Sequence, residues 1–305
     1  MKTLQESIDD FLAYCKFERG LTKLSLKAYR LDLDQFHKVF REVSTVPDIT
    51  KDIVKQYVQY LFDAGLKETS IKRKLACLKS FLRYLEYEDQ IIVSPFRKLN
   101  ITIRVPRNIP RYLRMDEVQG LFSVVNKVHD KRKNVSITSI ELLQRTIIIE
   151  ILFSTGIRVS ELCSLDLDDI DIARGTIRVH GKGARERSVF ITHPHTIGLL
   201  REYVERRAKA NSSRSLFLNR VLTRMQPHSV REILAKIAMS AKLKRVTPHM
   251  FRHTIATMLI ENGVDIRFVQ RFLGHSSILT TQKYTHISTF AERTFIADRH
   301  PRNQL

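Results

Sequence analysis

The stretch TPHMFRHTIAT at residues 247–257 places His249, Arg252 and His253 close together, and those residue types suit either a metal or a phosphate. His249 and His253 are four residues apart, the spacing with which a helix presents two zinc ligands. A zinc peptidase of the His-Glu-x-x-His kind needs a carboxylate beside the first histidine to deprotonate the metal-bound water, and Met250 holds that position. No cysteine or acid nearby offers a third ligand, and Arg252 would set a fixed positive charge against a divalent cation. We therefore expect no metal and no cofactor. His249 and Arg252 are three apart, which at 3.6 residues per turn brings them within about 60° on one helical face. A permanent cation beside a titratable ring on one face fits an anionic phosphodiester.

Three further segments carry reactive side chains. STGIRVSEL holds Arg158 in a short turn after an apolar run, VHGKGARER holds Lys182 between two glycines, and LGHSSILTTQKYTH supplies His275 and Tyr284. Singly, each has a plain structural use. Arg158 can pair with Glu161, Lys182 can be a turn lysine, His275 can cap a helix, and Tyr284 can pack in a core. Together and in this order, the four segments resemble the motifs of the tyrosine recombinases, the family of phage integrases and bacterial Xer proteins. The resemblance extends over most of the chain, because the N-terminal part is similar to the family's helical core-binding domain and HISTFAERTFIADRHPR is similar to the tail of Xer-type members. It implies that Arg158 and Arg252 clamp the scissile phosphate and that Tyr284 is the nucleophile, becoming joined to the 3′ phosphate. It further implies that Lys182 protonates the departing 5′ oxygen, His249 assists proton movement at the tyrosine, and His275 hydrogen-bonds the phosphate. Glu161 is expected to orient Arg158, and His253 to be structural.

The chemistry supports these roles independently of the resemblance. A phosphodiester repels nucleophiles and gathers more charge in its transition state, so a catalyst without metal needs fixed cations aimed at the equatorial oxygens. Arginine stays charged and forks onto two oxygens. A tyrosine of pKa near 10 is only about one part in a thousand phenolate at pH 7, a deficit of roughly 4 kcal/mol that neighbouring cations or a base must offset. A histidine that is largely neutral at pH 7 can help at the phenol, and an ammonium can serve the poor alkoxide leaving group.

These side chains must be positioned by a mostly helical chain. Apolar faces at Leu4, Ile8, Phe11 and Leu12, at Tyr29, Leu33, Phe36 and Phe40 after Ser25, and at Ile53, Tyr57, Tyr60 and Leu61 predict three helices. A fourth buries Ile71, Leu75, Leu78, Leu82 and Leu85 and aligns Lys72, Lys79 and Arg83 on another side, where the absence of an intervening acid points to phosphate contact. After Pro95, prolines 106 and 110 forbid a continuous helix, and Arg97, Lys98, Arg104, Arg107, Arg111 and Arg114 make a basic tether with no acid between Asp89 and Asp116. Of these, Arg104, Arg107 and Arg111 are candidate DNA contacts. We expect an N-terminal helical, SAM-like DNA-binding domain at 1–96, a basic linker at 97–114 and a catalytic domain with a C-terminal tail at 115–305.

In the second domain a helix should begin at Asp116, followed by a charged loop, VHDKRKNVSIT, and a buried apolar helix from Ser139 to Phe153. Period-two alternation between residues 165 and 192, with turn signals at Ala173–Gly175 and Gly181–Ala184, predicts a small antiparallel meander. Helices resume at Thr196–Ala210, Pro227–Ala241, Pro248–Asn262 and Asp265–Leu273, the last two stopped by Gly263 and Gly274. The fold class is mainly α with a small antiparallel sheet. The resemblance adds that the α-helical and α+β domains form a C-shaped clamp on DNA.

Composition agrees with such a partner. The chain has 305 residues, with 52 Lys and Arg against 32 Asp and Glu, a formal net charge of +20. With 43% hydrophobic residues this is a folded polycation, which implies a polyanion as ligand. Cys15, Cys77 and Cys163 have no paired spacing and read as reduced core residues. The first residues are too acidic for a secretion signal, and TIIIEILF is short and broken by Glu150, so we expect a cytoplasmic protein with no membrane span. The partner is expected to be double-stranded DNA with a specific recombination site. The resemblance implies a homo- or hetero-tetramer at the synapse, in which the tail with Phe290, Phe295 and Ile296 packs on a neighbour. A phosphotyrosine conserves the energy of the broken bond, so rejoining needs no ATP, and the chain has no phosphate-cradling glycine loop. The long VHDKRKNVSIT segment, and Phe190 where relatives often carry proline, point to a recombinase of a mobile element. Two other classes would share parts of this pattern: a type IB topoisomerase relaxing one duplex, and a DNA-binding regulator without catalysis.

Overall fold

Two hydrophobic cores, one per compact unit, organise the chain into residues 1–108 and 109–305. The computed structural model describes residues 2–105, 111–130, 136–181, 186–274, 296–297 and 300–304, with side chains except at 127–130, 136–139 and 304.

The first unit is built from α1 (Leu4–Phe17), α2 (Lys23–Val39), α3 (Lys51–Asp63) and α4 (Glu68–Tyr87). Threonines start three of them. Thr3, Thr22 and Thr50 each accept a backbone N–H of the first turn, and at α1 the Glu6 carboxylate returns to the Thr3 N–H at 2.7 Å. The second helix thus opens at Thr22, ahead of Ser25. The face of α4 is buried as its spacing predicts, with Ile71, Leu75, Leu78, Leu82 and Leu85 all at or below 6% exposure. Tyr60 is a correction: it is exposed, and Val54 joins Tyr57 and Leu61 on the buried face of α3. Beyond α4, Phe96, Leu99, Ile101 and Ile103 pack against this same core, while Leu113 is buried in the second.

The second unit holds α5 (Met115–Asp130), α6 (Ser136–Thr155), α7 (Val159–Ser164), β1 (Ile170–Asp171), β2 (Thr176–His180), β3 (Glu186–Phe190), α8 (Pro194–Ala210), α9 (Pro227–Ser240), α10 (Pro248–Glu261) and α11 (Ile266–Leu273). The segment VHDKRKNVSIT is less of a loop than its charge suggests, because α5 continues through Asp130 and α6 starts at Ser136. Helix α6 is apolar nearly all round and packs against α5, α8 and α10, which is why Ile147–Leu152 shows no period of its own. Its inward acid, Glu150, is fully buried, and it accepts from Thr196 Oγ1 at 2.7 Å and from Arg302 at 2.9 and 2.6 Å. That ion pair and the burial of Ile296 fasten the described end of the chain onto its own unit. The three strands form an antiparallel meander in the order β1-β2-β3, with Val179 opposite Arg187.

The candidate phosphate site

Arg158 is the N-cap residue of α7, in the turn that follows the buried α6. Its backbone N–H donates to Glu161 Oε2 at 2.8 Å and its Nη1 to Oε1 at 2.8 Å, so the carboxylate both caps the helix and fixes the guanidinium. Both the structural use expected of Arg158 and its availability are met, since the side chain remains 37% exposed. The other end of α7 is tied down by Arg224, which donates to Ser164 O at 2.7 Å and pairs with Asp166.

Arg252 comes from α10, whose start is set by the Thr247 cap and Pro248. It is buried, and donates from Nη1 to Gly156 O at 2.8 Å and from Nη2 to Leu273 O at 2.6 Å. Arg158 Nη2 donates to Gly274 O at 3.1 Å. The two arginines thus converge on the C-terminus of α11, where unpaired carbonyls carry partial negative charge. Gly274 makes this possible, because its left-handed φ of 65° turns the chain at that end. Burial first, and then the Arg158 charge, lowers the Arg252 guanidinium to about 10, which still leaves it a cation at pH 7.

A third cation was not foreseen. Arg187 on β3 donates to both oxygens of Glu161, at 3.0 and 2.8 Å. Burial would raise the Glu161 carboxyl, but the hydrogen bonds from Arg187 and then from the Arg158 N–H outweigh it and hold the group below its ordinary value. Among the described residues, three guanidinium charges stand around one carboxylate at the site. The signal for Arg187 was present in the alternation of β3, where residues 187 and 189 share a face and Val189 is buried. An arginine on an inward face requires a partner.

The structure therefore brings Arg158, Glu161 and Arg252 together. His249, in the first turn of α10, is exposed, whereas His253 is partly buried and lowered by that burial. Lys182, His275 and Tyr284 lie outside the described residues, as do Arg107, Phe290 and Phe295. Of the other basic candidates, Lys72, Lys79, Arg83 and Arg104 are exposed and form no ion pair among the described residues. The linker's charges are less free than its own sequence implies. Acids on flanking segments take Arg97 (Glu86, 2.9 Å), Arg111 (Glu117, 2.8 Å) and Arg114 (Asp116, 2.9 Å). The arginines stay more than half exposed, and the Arg114–Asp116 pair, exposed on both sides, is of a kind worth only about 0–1 kcal/mol.

Against known proteins, residues 111–290 match the model of the phage integrase family and residues 8–89 that of the phage integrase N-terminal SAM-like domain. The chain belongs to the phage integrase family. It is 35% identical over 314 residues to a tyrosine recombinase of Agathobacter rectalis, covering 100% of this chain and 99% of that one. Similar relatives are the tyrosine recombinase XerC of Oceanobacillus iheyensis, 35% identical with 99% and 98% of the two chains covered, and XerD of Halalkalibacterium halodurans, 32% identical with 99% and 100% covered. The fold is that of the XerH site-specific recombinase in its pre-cleavage complex with difH (TM-score 0.68, 22% identity, 88% and 79% covered). It is also that of residues 75–356 of lambda integrase bound as a dimer to a COC′ core site (TM-score 0.67, 18% identity, 94% and 100% covered). This tyrosine recombinase is an enzyme that cuts and rejoins DNA in site-specific recombination, and its relatives favour neither a relaxing topoisomerase nor a silent regulator. Among the described residues no helix is long and apolar enough to cross a membrane.

Proposed function

We propose that the enzyme cleaves each DNA strand by attack of Tyr284 on a phosphate held by Arg158 and Arg252, forming a 3′-phosphotyrosine without metal or ATP. The observation that carries this reading is the convergence of Arg158 and Arg252 on the end of α11, immediately before His275 in sequence, with Glu161 as a shared counter-charge among the described residues. A unit charge about 4 Å away at an effective dielectric near 20 is worth about 4 kcal/mol, the size of the deficit that an un-ionised phenol must overcome. Arginine is suited to this because its charge survives burial, as at Arg252. Lys182 then protonates the 5′ oxygen, His249 moves the tyrosine proton, and His275 binds the phosphate. The bond energy kept in the phosphotyrosine lets a 5′ hydroxyl from another strand reverse the step.

In this reading residues 1–96 and 115–305 are the DNA-binding and catalytic domains, joined by the basic linker 97–114, and the substrate is duplex DNA carrying a recognised site, met in the cytoplasm. The stripe of Lys72, Lys79 and Arg83 and the linker's Arg104, Arg107 and Arg111 contact phosphates. Two duplexes require four protomers. We infer a tetramer, homo- or hetero-, whose tails exchange, so that Ile296 and Arg302 take on a neighbour the places they occupy on their own unit in the single chain. A role in a mobile element accords with the VHDKRKNVSIT segment and Phe190.

The test is incubation with a nicked suicide substrate selected for binding, in the presence of a chelator, followed by peptide mass spectrometry. A DNA adduct on Tyr284 that is absent from Tyr284→Phe is expected. An adduct on another residue, or turnover that survives Tyr284→Phe, would contradict the assignment.

A further inference from the structure

Arg187 connects three parts of the second unit. It stands on β3 opposite Val179, and the strand's alternation sends its side chain to the face that also buries Val189. Its two Nη atoms take both oxygens of Glu161, which Arg158 also holds through Nη1 and its backbone N–H. Its Nε stands 2.9 Å from where a Cβ on Gly274 would lie, so the backbone leading to His275 passes directly over the guanidinium. In sequence it follows Lys182 by five residues.

The sharing of Glu161 has a directional consequence. An arginine and a carboxylate left alone adopt a two-bond fork-to-fork pairing. With Arg187 holding both oxygens, the Arg158 guanidinium engages the carboxylate through Nη1 and turns Nη2 to Gly274 O. Removing Arg187 would free Glu161, at 5% exposure, to draw Arg158 into a full fork and off the carbonyl.

We propose that Arg187 is a positioning residue for strand cleavage, which divides Glu161 so that Arg158 is held with one edge on the carboxylate and the other at the end of α11. This rests on the reading of Arg158 as a phosphate ligand. It also predicts how charge is held, since Arg158, Arg187 and Arg252 all face Glu161 and losing one raises the pH at which the carboxyl takes up a proton.

The experiment compares wild type, R187Q, R187K, E161Q and the R187Q/E161Q double variant in single-turnover cleavage of the suicide substrate, with affinity for uncut DNA and thermal melting measured on the same proteins. R187Q is expected to cleave roughly 10- to 100-fold more slowly, the scale of a displaced catalytic group, while binding uncut DNA within about threefold of wild type. Its acid limb should move to higher pH. R187K, which restores the charge without the fork, should lie between R187Q and wild type, and the double variant should be no slower than E161Q. R187K cleaving at the wild-type rate would overturn the proposal, and so would effects of R187Q and E161Q that multiply. Should R187Q fail to fold, R187K decides. Failure of the catalytic reading is separable, because a wild type that forms no tyrosine adduct would still show Arg187–Glu161 coupling in the melting of DNA-free protein.

Discussion

Arg252 shows what a single side chain must do here. Its guanidinium is buried against the carbonyls of Gly156 and Leu273, and those contacts cross 96 and 21 residues of sequence. Gly156 is part of that arrangement. Its φ is +61°, and a Cβ there would stand 2.5 Å from Leu273 Cδ2 and 4.0 Å from the Arg252 backbone. Gly156→Ala should therefore cost about 1–3 kcal/mol in urea unfolding, from left-handed strain and overpacking together, and should slow cleavage by moving the α11 end away from Arg252. Wild-type stability in that variant would show that the turn has slack. Residue types and spacing made Arg158, Glu161 and Arg252 legible because each falls in a short recognisable segment. Arg187 was not, because its purpose is defined by a carboxylate 26 residues away.

Helix α4 sorts its charges by face. Arg73 and Lys74 neutralise Asp32, which is buried, while Lys72, Lys79 and Arg83 point outward unpaired among the described residues. Replacing the outward three by Gln should lower the slope of log affinity against log salt by about 2–3, one unit per lost phosphate, with little change in melting. Replacing Arg73 and Lys74 should do the reverse, destabilising the unit by roughly 3 kcal/mol or more as Asp32 loses its cations. The end of the chain offers a pH test. His300 is buried against Phe153 and Phe272, and that burial, with the Arg302 charge, lowers it from 6.5 to about 4. An undocked tail thus binds a proton that the docked tail refuses, so docking is full above about pH 6.5 and weakens as pH falls toward about 4. Amide protection at residues 302–304, taken relative to the intrinsic exchange rate at each pH, should fall over that window, and His300→Phe should flatten the response. This anchor was not readable in advance, because Glu150 within the apolar run of α6 reads as a break until its pairing with Arg302 is seen.

For the molecule as a whole, the amphipathic helices and the meander were readable because each has a clean period, and α6 because its apolar run is too long for a strand. Helix α7 was not, since its six residues are fewer than two turns, and the ends of α5 and α6 were hidden by charged residues that carry no apolar repeat. Tail exchange among protomers can be tested through the Glu150–Arg302 pair. E150R and R302E should each fail in strand exchange, and an equimolar mixture should recover it if tails pass between unlike neighbours, whereas tails kept at home would leave the mixture inactive. The central claim is that fixed positive charge, supplied by arginines, offsets the charge of the phosphate under attack by Tyr284. The most direct measurement replaces one non-bridging oxygen of the scissile phosphate by methyl, removing that charge, and compares cleavage by wild type and Arg252→Ala. The account predicts that the variant, slowed at least about 100-fold on ordinary DNA, regains most of that loss on the neutral substrate. An equal defect on both substrates would mean that Arg252 does not act on the phosphate's charge.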